Sequence, residues 1–131
     1  MDYKGRMICK GKAKAKALVT NKPISFYGGV DVETGCVSEH GHPLEGKCIT
    51  GKILVFPRGS GSTVGSYALY QMSKNGKAPA AMVNEESEPI VAVGAIISEI
   101  PLVDQIPKEF FEKVKDGIEV EVDAEAGKVT L

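Results

Sequence analysis

At 131 residues, with 16 Lys and Arg against 17 Asp and Glu and a formal net charge of −1, the chain has the length of one ordinary domain and no electrostatic bias toward nucleic acid or an anionic membrane. Its 43% hydrophobic and 25% charged residues exclude the disordered and fibrous classes, and no apolar run approaches the ~20 residues that cross a bilayer. The first stretch lacks the apolar core of a secretory signal, and Cys9, Cys36 and Cys48 form no C-x-x-C pair, so the cytosol is the expected compartment.

In chain order, Arg6 to Lys10 and Lys16 to Thr20 read as early strands. Between them Lys10, Lys12, Lys14 and Lys16 alternate with Gly11, Ala13 and Ala15, the pattern of a strand with one solvated side. Residues 21 to 51 are rich in glycine and proline, a long connection of the kind that is functional or hides short strands. Lys52 to Phe56 is apolar enough for a buried strand, which Pro57, Gly59 and Gly61 end. A helix follows, capped by Ser60 or Ser62, with Val64, Ala68, Leu69 and Met72 on its buried side and Asn75-Gly76 as its stop. Ala80 to Val83 and Ile90 to Ile97 are predicted as strands joined by an acidic loop. Pro107 opens a second helix that buries Phe110, Phe111 and Val114. Ile118, Val120 and Val122 alternate with acids in a last strand pair that turns at Ala126-Gly127. The sum is a single mixed α/β domain over residues 1–131, strand-rich, with two main helices.

The strand-to-helix junction PRGSGSTVGS is the chemically suggestive feature. Its glycines admit close approach of backbone to ligand, and the free amides of a helix start favour an anion. A phosphate-binding P-loop needs a lysine before the Ser/Thr pair, and none precedes Ser62 or Thr63. The nucleophile elbow G-x-S-x-G fails too, because no serine here has glycine two places away on both sides.

The segment GSGSTVGSYAL is similar to the swivel-domain loop of aconitases, in which a glycine-flanked serine at a helix start removes a proton next to a carboxylate. With SFYGGVDVETG, HPLEGKCITGKILVFPRGSGS and EPIVAVGAIISEIP, the likeness runs from about Gly11 to about Pro107. On these motifs the chain resembles the small subunits of the aconitase X family. The resemblance implies a swivelling β/β/α fold and makes Ser62 the catalytic base. It also places Arg58, Gly61, Thr63, Gly29 and His42 against substrate. The activity implied is dehydration of 5-phosphomevalonate to trans-anhydromevalonate 5-phosphate in the archaeal mevalonate (isoprenoid) pathway, with dehydration of cis-3-hydroxyproline as the alternative. The family pattern departs at Val64, where aconitases place an arginine that clamps a carboxylate, which argues against tricarboxylates. Tyr27 stands where relatives carry tryptophan, and is expected to wall the site.

Dehydrating a β-hydroxy acid takes a base and a Lewis acid for the leaving hydroxide. Three scattered cysteines do not make a cluster site, so the resemblance implies a larger partner subunit that carries a [4Fe-4S] cluster, meets this chain on its Ser62 side and shares a phosphorylated hydroxy-acid substrate with it. No metal is assigned to this chain. Cys36, His40, His42 and Cys48 have zinc-ligand chemistry at a spacing that matches no common zinc pattern, and His42 can equally line the site or serve structure. Gly28, Gly29 and Asp31 read as a turn or as a loop closing on substrate. Arg58 reads as a carboxylate or phosphate clamp or as a surface ion pair. Glu85 and Glu88 read as a solvated loop, with Asn84 a polar contact. A helix start that merely binds a small anion, in a module acting alone, competes with the enzyme reading.

Overall fold

The structure is a computed structural model that describes residues 1–60 and 64–131. Its elements in order are β1 (Asp2–Lys4), β2 (Arg6–Cys9), β3 (Lys12–Val19), α1 (Phe26–Gly29), β4 (Ile53–Phe56), α2 (Gly65–Lys74), β5 (Ala81–Asn84), α3 (Pro89–Ser98), β6 (Leu102–Asp104), α4 (Lys108–Lys113), β7 (Glu119–Asp123), a 3-10 turn (Ala124–Ala126) and β8 (Lys128–Thr130). The strands form one eight-stranded sheet in the order β1-β8-β7-β3-β4-β5-β6-β2. Strands β3 to β6 run parallel, and β2, β7, β8 and β1 are antiparallel to their neighbours.

Every residue of β4 and of β5 is buried, which is why both read as unbroken apolar runs. Their alternation feeds two cores. Leu54, Phe56 and Met82 face one that holds α2 and α3, while Ile53, Val55 and Val83 face the other, with Tyr3, Phe110, Val120, Val122 and Val129. On β3 the alternation has one solvated side as expected: Ala13 and Ala15 lie against the second core, and Lys12 and Lys14 pair with Asp123 and Glu119 outside it.

Helix α2 buries Ala68, Leu69 and Met72 and ends at Asn75, as its spacing predicts, but Val64, expected on the buried side, precedes the helix and is exposed, and Gly65 is buried in its stead. Its start differs from the expectation. The first helical residue is Gly65, so Ser60 stands too far upstream to cap it and instead donates its backbone N–H to the Ile24 carbonyl at 2.9 Å. The expected cap at Ser62 lies outside the described residues.

Ile90 to Ile97, expected as a strand, is helix α3. An apolar run carries no period to separate helix from strand, and the deciding features lie just before it. Pro89 suits the first turn because it lacks the N–H that would go unpaired there, and the Glu88 carboxylate accepts from the amides of Ile90 and Val91. Helices α2 and α3 meet at Gly94, where a Cβ would stand 2.6 Å from Leu69 Cδ1 and 3.2 Å from Ser66 Cα. The Ser66 hydroxyl donates to the Ile90 carbonyl at 2.7 Å across the same contact.

Four helices therefore stand where two were expected, α1 being a single turn broken at Tyr27 and Gly28. Two further strands went unread. β1 and β6 are three residues each, too short to show a period, and they form because β8 and the parallel core offer them ladders. Pro107 opens α4 as predicted, with Phe110 buried against the edge of the Tyr3 ring at 5.4 Å.

Candidate active site

The loop after β4 leaves the carboxyl end of the parallel strands, where open α/β sheets present their crevices. Phe56 anchors that end, fully buried with its ring edge-on to Phe26 at 5.7 Å. Beyond it Gly59 forms a parallel bridge with Ile24, in which Ile24 N–H donates to the Arg58 carbonyl at 3.2 Å. The backbone of Arg58 is thus fixed while its side chain is exposed. Among the described residues the guanidinium pairs with no carboxylate, so the surface ion pair that competed with a clamp role is not formed. Gly61, Ser62 and Thr63 lie outside the described residues.

One wall beside the α2 start is apolar. Phe26, Tyr27, Gly28, Val30, Val32, Val64, Tyr67, Ala68 and Gln71 line a hollow of about 340 Å³. Tyr27 is 59% exposed at its mouth, the wall position expected of it. Gly28 has φ +86°, which glycine adopts without strain, and Asp31 Oδ1 accepts from the amide of Glu33 at 2.8 Å, the turn predicted for that aspartate. Gly29 is buried under the following loop, its carbonyl accepting from the amides of Ser38 and Glu39. A Cβ there would stand 3.0 Å from Glu39 Oε1, so a larger residue would push that carboxylate aside.

The other wall is polar. Lys22, Pro23, Glu39, His40, Gly41, His42, Pro43 and Ser60 line a second hollow of about 300 Å³. His42 is buried, and backbone occupies both of its ring nitrogens: Nδ1 accepts from the Leu44 amide at 3.0 Å, which leaves Nε2–H to donate to the Pro23 carbonyl at 3.1 Å. The imidazole therefore ties the 38–48 loop to the segment leading to Ile24, and its ring carries no free nitrogen for a ligand.

The zinc-like quartet is not assembled. Cys36 and Cys48, which the sequence reading left apart, are joined as a disulfide across a short antiparallel bridge. Exposed His40 pairs through Nδ1 with Glu45 at 2.8 Å, and that hydrogen bond, with the Gly41 amide, holds the Glu45 carboxyl below its usual range. Cys9 is alone and buried, and burial pushes its thiol up. Among the described residues no three His, Cys, Asp or Glu side chains are placed to hold a metal, so the donor set of this chain does not fit an iron–sulfur cluster.

Beside Asn84, named from the sequence as a polar contact, the structure adds Ser87 and Asp104. Asn84, fully buried, donates to the Phe56 carbonyl at 3.2 Å and accepts from Ser87 Oγ at 2.8 Å. Asp104, also fully buried, takes both Nε and Nη2 of Arg6 and the amide of Ser87. The signal available in the letters was Glu88-Pro89, an acid beside a first-turn proline, which marks a helix start rather than a loop.

Residues 2–131 match the aconitase X swivel domain family. Over 131 residues the chain is 57% identical to the phosphomevalonate dehydratase small subunit of Methanosarcina acetivorans, covering all of this chain and 91% of that protein. It is 56% identical over the same length to the protein of that name from Methanocella arvoryzae, covering 100% and 99%. Among solved structures, the crystal structure of Thermococcus kodakaraensis aconitase X in its holo-form superposes with a TM-score of 0.94 at 53% identity, covering 98% of this chain and 96% of that chain. The solution NMR structure of a UPF0107 protein gives 0.93 at 50% identity, covering 100% and 98%. With sequence and fold alike from end to end, this chain belongs to the aconitase X swivel domain family.

Proposed function

We propose that this chain, a single swivel domain over residues 1–131, is the small subunit of a phosphomevalonate dehydratase, and that Ser62 is its base. The observation that carries the reading is the full-length likeness, above 55% identity, to relatives bearing that name. In the reaction the Ser62 oxygen takes a proton from the carbon next to the substrate carboxylate. The neighbouring carbon loses its hydroxyl, and the electron pair left by the proton becomes the new double bond of trans-anhydromevalonate 5-phosphate.

A serine is a poor base unless its alkoxide form is held by hydrogen-bond donors before the proton arrives. The amides of Thr63 and Val64, the residues that follow Ser62 in sequence, are the groups assigned to that task. Arg58, four residues before Ser62 and without a carboxylate partner among the described residues, takes the substrate's carboxylate or phosphate, for which its planar fork suits a bidentate contact. Gly61, next to the base in sequence, is assigned to substrate binding, and Gly29 acts from beneath the loop that holds Ser38 and Glu39. His42, with both nitrogens engaged, shapes the polar wall beside Ser60.

A [4Fe-4S] cluster on the large subunit would supply the Lewis acid for the departing hydroxide. The exposed Tyr27, Val64 and Tyr67 at the apolar mouth support contact with that subunit on the Ser62 side. The test is to co-express the chain with a candidate large subunit and supply phosphomevalonate or cis-3-hydroxyproline. Co-purification with anhydromevalonate phosphate as the product supports the reading. Turnover of hydroxyproline alone, or an isolated chain that binds phosphate and finds no partner, refutes it.

A further inference from the structure

The loop between β5 and α3 grips the segment that leads to Ser62 at successive points. Asn84 Nδ2 donates to the Phe56 carbonyl at 3.2 Å, and the amides of Glu85 and Glu86 both donate to the Pro57 carbonyl at 3.2 Å. Next along, Glu88 lies against Gly59: a Cβ on that glycine would stand 2.7 Å from Glu88 Oε1 and closer still to Val91 Cγ2. The loop is itself anchored through Ser87, whose amide donates to buried Asp104 at 2.8 Å and whose hydroxyl donates to Asn84. Arg6 also holds Asp104, its Nη2 reaching the same Oδ2 at 2.8 Å.

The same Glu88 carboxylate caps α3, with Oε2 taking the Ile90 amide at 3.2 Å and Oε1 the Val91 amide at 3.0 Å. Capping alone does not require glutamate. Asp, Asn and Ser are the favoured residues at that position, because their shorter side chains reach the second and third amides directly. What the extra methylene adds is reach, which seats the carboxylate over Gly59 while the cap is kept.

We propose that Glu88 is a positioning residue for the dehydration, holding Gly59, three residues before Ser62 in sequence, against the α3 start. This rests on the reading of Ser62 as base, since it is the placement of that base that Glu88 would govern. Misplacing a reacting group by about 1 Å can cost on the order of 100-fold in rate.

The test compares Glu88→Asp and Glu88→Gln in the assembled enzyme. Glu88→Asp keeps a good cap and withdraws from Gly59, so its melting temperature should match wild type while kcat falls by roughly tenfold or more with little change in KM. Glu88→Gln keeps the length and the acceptor oxygen and should restore kcat to near wild type. Amide hydrogen exchange on the full chain supplies a readout independent of turnover, and Glu88→Asp should speed exchange at Gly59 and Ser60. Wild-type kcat with unchanged exchange in Glu88→Asp overturns the proposal, as does a loss of kcat in Glu88→Gln equal to that in Glu88→Asp. If wild-type enzyme forms no anhydromevalonate phosphate, the functional reading fails, and the exchange comparison still decides the role of Glu88.

Discussion

Arg58 is held by backbone on its C-terminal side, since its own carbonyl accepts from Ile24 and the next residue bridges to that same isoleucine, yet its guanidinium has no acid to answer it among the described residues. A charge presented on a fixed backbone loses little entropy when it meets a ligand. Replacing Arg58 by Ala should raise KM for phosphomevalonate roughly 10- to 100-fold, the worth of a charge-assisted hydrogen-bonded pair, and lower the melting temperature little because no internal contact is lost. Steady-state kinetics with a thermal melt checks both parts; an unchanged KM removes Arg58 from the substrate site. The letters single out Arg58 and Ser62 as candidates because glycine-rich punctuation isolates them. They did not show that both nitrogens of His42 are spent on backbone, because its partners are the carbonyl of Pro23 and the amide of Leu44, groups that every sequence carries. Nor did they show Glu88, whose partner is the bare Cα of a glycine 29 positions earlier.

At the scale of elements, the misreading of α3 has a definite cause. All its residues but Ser98 are apolar or glycine, so hydrophobic period is silent, and β-branched residues tilt propensity toward a strand. The proline and acid at its start outweigh that tilt, and packing on α2 completes the helix. The crossing at Gly94 puts this to the test. In an exposed helix Gly→Ala gains about 1 kcal/mol from propensity, but here the new methyl meets Leu69 Cδ1 and the Cα of Ser66, and the latter is backbone that cannot turn aside. Overpacking of that kind costs about 1–3 kcal/mol, so Gly94→Ala should lower the melting temperature by several degrees. A melting temperature at or above wild type would mean that α2 and α3 do not cross there. Helix α2, by contrast, was legible from Ala68 to Gly76 because its buried positions recur at helical spacing and Asn75-Gly76 stops it.

For the whole molecule, the parallel strands β4 and β5 were legible because burial on both faces writes itself as an apolar run, whereas the closing of the sheet was not. β1 finds its place only by pairing with β8, so that Asp2 lies opposite Thr130 from the far end of the chain. What the assembled fold does is bring the starts of α2 and α3 to the carboxyl ends of those two strands. On the proposed reading the dehydration takes its Lewis acid from a second chain and its base from this one, and the most direct measurement separates the two. In enzyme assembled with its large subunit, Ser62→Ala should leave complex formation and iron content at wild-type levels and cut single-turnover formation of trans-anhydromevalonate 5-phosphate by roughly 100- to 10,000-fold, the range that a positioned base contributes. Formation at the wild-type rate would contradict the assignment of Ser62 as the base.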